Sequence, residues 1–243
     1  DWSADSARVT GLYYGPTTFG DGEGGATTLT GGGMFVASYD GDGTLAWAKG
    51  TGGEPSQGKG IAVASDGSMR VTGLLSSYTT FGPDEPGETT LYAAGWPDVF
   101  VARYEADGAL GWVKRAGSDG SDLGAGIAVN TDGSARITGS FAGAVTFGEG
   151  EAGATTLSSG ADSTPGEYAL FVARYEADGT LAWARRAGGT AAAGTGIGVA
   201  ADGSARVTGS FAGTASFGAD EAGQIDLIST PGYQDVFVAG YAP

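Results

Sequence analysis

Aromatic and acidic side chains gather in three short segments of this chain, where they could do chemistry together. Tyr92, Trp96 and Asp98 lie in residues 92–99, Asp162, Glu167 and Tyr168 in residues 158–170, and Tyr233 and Asp235 in residues 228–236. An aromatic ring takes the apolar face of a pyranose while nearby oxygens take its hydroxyls, so this mixture points to carbohydrate binding. The competing expectation is that the rings fold back and anchor their own loops.

Carboxylates also stand two residues apart beside glycine in Asp40-Gly41-Asp42-Gly43, Glu105-Ala106-Asp107-Gly108 and Glu176-Ala177-Asp178-Gly179. Calcium takes six to eight oxygens, more than one such turn supplies, so an ordinary hairpin turn with an acidic shoulder is the expectation and no metal or other cofactor is called for. Histidine and cysteine are both absent. That removes imidazole general acid-base catalysis, Ser-His-Asp and Cys-His nucleophiles, the usual zinc sites and any disulfide framework. A paired-carboxylate glycosidase or a Tyr/Arg lyase survives as the alternative to a non-catalytic binding module, and a structural subunit of an extracellular assembly is a third.

Two further residue types recur. Arg8, Arg70, Arg136 and Arg206 could line a groove for an anion, or each could pair with an acidic residue of its own repeat, which is the expectation here. Trp47, Trp112 and Trp183 alternate with small residues in β-rich runs and are expected to pack between repeats. The glycine-rich stretches lack the strand-loop-helix setting of a phosphate-binding loop.

The elements that position these residues follow from self-similarity. Arg-Val-Thr-Gly at 8–11 returns at 70–73 and 206–209, and as Arg-Ile-Thr-Gly at 136–139. Eleven residues after each Arg stands the Phe of a Phe-Gly pair, at 19, 81, 147 and 217, and ten residues later a Leu, at 29, 91, 157 and 227. A Phe-Val-Ala run follows at Phe35, Phe100, Phe171 and Phe237, with Trp twelve residues on in the first three copies. Ile61-Ala62-Val63, Ile127-Ala128-Val129 and Ile197-Gly198-Val199 open the later copies, and Asp-Gly steps separate the short β-rich runs as hairpin turns.

Each repeat therefore reads as four main strands in two hairpins, with a smaller excursion from Phe-Gly to Thr-Thr-Leu. Four such units, at approximately 1–53, 54–118, 119–189 and 190–243, predict an all-β single domain of blade-like sheets packed face to face, a β-propeller of about four units. The first unit lacks its Ile-Ala-Val strand and the last its Trp strand, so the terminal units are expected to be incomplete and open to self-association. Nearly all length variation falls between the fixed Leu and the Phe-Val-Ala strand. Insertions confined to one place in a repeat map to loops on one side of the assembly, often the binding side.

The run Gly126-Ile127-Ala128-Val129, Asp132-Gly133-Ser134, Arg136-Ile137-Thr138-Gly139, Phe171-Val172-Ala173-Arg174-Tyr175 and Asp178-Gly179-Thr180-Leu181 resembles the bacterial β-propeller repeat family called SBBP. That resemblance implies a propeller fold on secreted or cell-surface proteins and no single activity. The excursion is longer here than in the usual repeat, and four copies fall short of the seven blades the name implies.

An acidic, lysine-poor composition suits a secreted protein or one from a salty environment, and equally well serves plain solubility. Twenty-eight acidic against 12 basic residues give a net charge of −16, which makes nucleic acid and anionic membranes poor partners and leaves a glycan or a protein. No apolar run approaches the roughly 20 residues of a membrane helix. Asp1 in place of an initiating Met reads as a processed or trimmed chain.

Overall fold

The structure is a computed structural model, and it describes residues 6–160, 168–189, 191–218 and 223–242. Among these the protein is all-β, with no helix and several antiparallel sheets of two to four strands. Among the described residues no helix is long and apolar enough to cross a membrane.

The repeats fold as the Asp-Gly steps dictate. In the second unit a leading strand Ser56–Val63, an Arg strand Met69–Leu75, a Phe strand Asp98–Tyr104 and a Trp strand Leu110–Ala116 form one four-stranded sheet in that spatial order. The third unit repeats it with Leu123–Val129, Ala135–Phe141, Ala169–Tyr175 and Leu181–Ala187. The first unit has three described strands, Ala7–Tyr14, Gly32–Tyr39 and Leu45–Gly50, and no leading strand. The fourth has Ala192–Val199, Ala205–Phe211 and Asp235–Tyr241, and no Trp strand. Both terminal sheets are thus one strand short among the described residues.

Each turn between main strands closes on its aspartate. Asp66 Oδ1 accepts from the backbone N–H and hydroxyl of Ser68, and Asp132 and Asp178 do the same for Ser134 and Thr180. The glycine between them takes a positive φ, 79° at Gly133, which a side chain would strain. The turn carboxylates of these hairpins are spent on their own backbone, and the Ser or Thr hydrogen bonds hold Asp42, Asp66, Asp132, Asp178 and Asp202 below the usual carboxylate range.

The apolar residues build a separate core between each pair of consecutive units. Met34 and Val36 of the first meet Val71, Phe81 and Phe100 of the second. Val99 and Val101 of the second meet Ile137, Phe147 and Phe171 of the third, and Leu170 and Val172 of the third meet Val207, Phe211 and Phe237 of the fourth. A sheet buried on both faces needs this arrangement, and it explains why the Arg and Phe strands of the two middle units are buried almost throughout.

Glycine sets how closely the sheets approach. Every leading strand carries Gly-x-Gly with a bulge between the two glycines, at Gly58/Gly60, Gly124/Gly126 and Gly194/Gly196. The first glycine of each lies against the Thr of the preceding Arg strand, so that a Cβ on Gly58, Gly124 or Gly194 would collide with Thr10, Thr72 or Thr138. Those hydroxyls in turn donate to the carbonyls of Phe35, Phe100 and Phe171, at 2.8, 2.8 and 2.9 Å. The leading strands also touch one another, since a Cβ on Gly126 would stand 3.1 Å from the Cα of Gly196.

At the opposite edge the spacing is set by indoles. Trp47 lies on Gly108 of the next unit and donates to Ala106 O at 3.2 Å; Trp112 lies on Gly179 and donates to Ala177 O at 3.1 Å. These two residues pack between units, as their alternation in sequence predicts.

The arginines do something else than expected. Arg70 is buried and pairs with no carboxylate of its own sheet: it donates to Ser68 Oγ and Met69 O in its own unit and across to Gly133 O at 3.0 Å, with its guanidinium 5.6 Å from the Trp112 ring. Arg136 repeats this with Gly203 O and Trp183. Delocalised charge and a planar fork let a guanidinium satisfy several carbonyls at once, so it serves as a staple between units rather than as half of a local ion pair. Other cations pair with acids, among them Arg103 with Asp66 and Glu105 and Arg174 with Asp132 and Glu176.

Candidate functional site

Strand direction gives the assembly two unlike ends. One end holds the Asp-Gly turns. The other holds the excursion hairpins, Thr17–Phe19 with Thr27–Leu29, Tyr78–Phe81 with Thr89–Tyr92, Ala144–Phe147 with Thr155–Ser158, and Thr214–Phe217 with Ile225–Ile228, together with the segments of variable length. Tyr14, Tyr78, Tyr92, Trp96 and Tyr233 are the exposed large aromatic residues among the described ones, and all five lie at this second end. Tyr92, Trp96 and Tyr233 expose 70%, 75% and 69% of their surface.

Three of them belong to the second unit. Tyr78 and Tyr92 face each other across the hairpin as a cross-strand pair, ring centroids 6.4 Å apart, and Trp96 follows in the loop that leads to the Phe strand. Tyr14 closes the Arg strand of the first unit, and Tyr233 stands in the corresponding loop of the fourth.

The loop that presents Trp96 is pinned from beneath. Asp98 is completely buried; its carboxylate accepts from Ala94 N at 2.8 Å and Gly95 N at 3.4 Å and pairs with Arg115 at 2.7 Å. Asp122, equally buried at the start of the third unit, donates its backbone N–H to Pro97 O at 2.7 Å. Its carboxylate accepts from Ser118 N and Oγ and from Ala142 N. Burial pushes the Asp122 carboxyl up to about 6, with Asp98 nearby adding to the rise against the hydrogen bonds from Ser118 and Ala142. Asp98 thus holds the loop and does not offer its oxygens to a ligand, and both carboxylates are closed to a substrate.

The other expected residues divide. Tyr168 is half-buried and builds structure: its segment bridges to Ala191, and its carbonyl accepts Ala192 N. Asp235 accepts Thr230 N at 3.1 Å and so shapes the loop that carries Tyr233. Asp162 and Glu167 lie outside the described residues. No group of three or more acidic side chains that could hold a metal ion occurs among the described residues.

Sequence reasoning missed two sets of residues. Tyr14 and Tyr78 sit in segments of constant length, so a search for variable loops passes over them. Glu23, Glu85 and Glu151 each stand four residues after the Phe of a Phe-Gly pair and accept the first N–H of the Trp strand, at Leu45, Leu110 and Leu181. Glu85 and Glu151 also pair with Lys49 and Lys114 of the preceding unit, both at 2.7 Å. Their fixed spacing was the available signal.

No protein-family model matches the chain, and no curated protein matches it.

Proposed function

We propose that the chain is an arc of SBBP-type propeller blades that serves as a rigid, non-catalytic binding scaffold, with its aromatic-bearing end as a glycan-binding face. Two contacts support the arc. Consecutive sheets meet at glycine distance along their leading strands but are held apart by an indole along their Trp strands. A stack that is closer along one edge than along the other turns about the close edge, as blades do about a propeller axis. The acidic, lysine-poor composition and the resemblance to SBBP repeats support a secreted or cell-surface location.

The observation that carries the binding reading is the segregation of the exposed aromatics. A ring left in water at one end of a well-packed scaffold, on a loop fixed by a buried carboxylate, is presented for contact at little cost in ordering on binding. Tyr78, Tyr92 and Trp96 offer the flat apolar surfaces on which pyranose rings stack. The test is a glycan array probed with the labelled chain, followed by titration of each positive oligosaccharide against Trp96→Ala. Binding by the wild type that weakens about tenfold in the variant, the loss of a stacking contact of roughly 1.4 kcal/mol, supports the reading. An array with no positive, or a variant that binds as well as wild type, overturns it.

A further inference from the structure

A cleft of about 390 Å³ lies between the first and second units, walled by Thr28–Thr30 and Lys49–Gly52 of the first and Gly82–Glu85 of the second, and it reaches the buried Tyr13 and Tyr104. The next interface shows why this one is open. The positions of Ala48 and Gly50 in the repeat are held there by Val113 and Arg115, and the Arg115 guanidinium is fixed in place by Asp98 and Glu149. In the first interface Ala48 and Gly50 are smaller, and Gly33 and Pro83 stand where the two carboxylates would be. Neither the long side chain nor its charge partners are present to fill the space.

The cleft gathers polar groups that the protein leaves short of partners. Tyr104 is 3% exposed, and its hydroxyl makes no hydrogen bond among the described residues. The matching Tyr175 hydroxyl also lacks a partner but is completely buried, whereas Tyr104 opens to the cleft. Tyr13 is 5% exposed and has two long bonds, to Thr30 O at 3.3 Å and Thr51 O at 3.4 Å. Burial, with the charge of Glu85 adding to it at Tyr104, holds both phenols protonated, so they enter the cleft as donors. Lys49 and Glu85 pair at 2.7 Å along the wall. Asp84 lines it as well, at a φ of 65° where the first and third units have Gly22 and Gly150, so its backbone carries strain that glycine would relieve.

We infer that this cleft is a binding site for a small neutral polyol, a single sugar ring by size and chemistry. Its volume falls at the lower end of the roughly 300–1,000 Å³ that small-molecule sites occupy. The lining selects the class. Tyr13, Tyr104 and Lys49 bring donors, while Asp84, Glu85 and the carbonyls of Thr30 and Thr51 bring acceptors. A sugar hydroxyl donates and accepts at once and meets both sets. Asp84 and Glu85 oppose an anion, Lys49 opposes a cation, and an apolar guest would seal off the Tyr104 hydroxyl without a partner. Leu29 and Ala48 supply apolar surface for the C–H face of the ring. Neither Tyr92 nor Trp96 lines the cleft, so the inference stands whether or not the aromatic end binds glycan.

The probes are glucose, galactose, mannose and xylose, with gluconate and glucosamine as charged counterparts, each titrated into the chain by calorimetry and saturation-transfer NMR. Saturable one-to-one binding of a neutral sugar, tighter than that of either charged counterpart, is the expected result. Tyr104→Phe and Asp84→Gly should each weaken it about tenfold or more. Both should leave the thermal midpoint unchanged or higher, because the first removes a hydroxyl that has no partner and the second relieves a positive φ. Trp96→Ala should bind the sugar as wild type does. No binding of any neutral sugar, tighter binding of gluconate or glucosamine, or wild-type affinity in Tyr104→Phe or Asp84→Gly overturns the inference. So does a lower midpoint in Tyr104→Phe, which would mean that the hydroxyl is already paired, and so does loss of binding in Trp96→Ala, which would move the sugar to the aromatic loops. A negative glycan array beside a positive titration would count against the aromatic face alone.

Discussion

Replacing Gly124 by Ala adds one methyl group where the second and third sheets come closest. Its Cβ would stand 2.9 Å from the carbonyl oxygen and 3.1 Å from the nitrogen of Gly73, and would also collide with the Thr72 hydroxyl. Backbone atoms in the middle of a sheet cannot swing aside. Thr72 cannot rotate without breaking its 2.8 Å hydrogen bond to Phe100 O and leaving a buried hydroxyl unpaired. Overpacking costs about 1–3 kcal/mol and an unsatisfied buried group a similar amount, so about 3 kcal/mol is expected for the two together. At about 2–4 °C per kcal/mol for a protein of this size, the thermal midpoint should fall by about 6–12 °C. Gly198→Ala is the control. Nothing lies within 4 Å of its added Cβ, and Ala62 and Ala128 already occupy the matching positions, so it should leave stability unchanged or raise it by about 0.4–1 kcal/mol. Scanning calorimetry of the two variants beside wild type decides. If Gly124→Ala and Gly198→Ala melt together with wild type, the sheets do not meet at glycine distance and the arc is wrong.

Other expectations separate interior from terminal roles. Arg70→Ala should lose about 3 kcal/mol by urea denaturation, because it leaves Gly133 O unpaired and a cavity against Trp112, whereas Arg206→Ala, whose guanidinium donates to Ser204 and Ala205 of its own unit, should lose under about 1 kcal/mol; equal losses would remove the staple. Asp122 titrates near 6 in the folded chain against about 3.9 unfolded, so the folded state holds its proton more tightly. The stability this provides is complete below about pH 4 and is lost as pH rises through 6, a span of about 3 kcal/mol that Asp122→Asn should remove from urea midpoints read between pH 4 and 7; an unchanged slope contradicts the assignment. The lowered carboxyls of Asp66 and Asp132 run the other way, giving stability above about pH 4 that fades on further acidification.

Strand order and turns were legible because the repeat writes them several times over. Asp-Gly at 66–67, 107–108, 132–133 and 178–179 separates runs whose β-branched residues face consecutive cores, and the runs present in the first and last units match the three strands described in each. Contacts between units were less legible, since a one-dimensional repeat does not show what a residue meets in the neighbouring copy. Arg70 has Asp66 four residues away in sequence, yet its bond across the interface goes to Gly133 O, 63 residues on. Which residues of the variable segments face solvent was legible only in part, for a related reason. Variable length marked the loop that carries Trp96, but the same criterion gathered in Asp98, and composition cannot tell a carboxylate that faces solvent from one that accepts its own loop's N–H groups. Tyr14 and Tyr78 were invisible to it because they stand where length is constant.

The most direct test of the proposed glycan-binding face is the fluorescence of Trp96 during titration with an oligosaccharide drawn from the array. Trp96 is 75% exposed, whereas Trp47, Trp112 and Trp183 are packed against neighbouring units, so bound sugar should shift emission to the blue and protect it from acrylamide quenching. Trp96→Ala should abolish that change and weaken binding about tenfold while leaving the thermal midpoint within about 1 °C of wild type. A sugar that binds with no change at Trp96, or that binds Trp96→Ala as tightly as wild type, would place the ligand elsewhere and contradict the account.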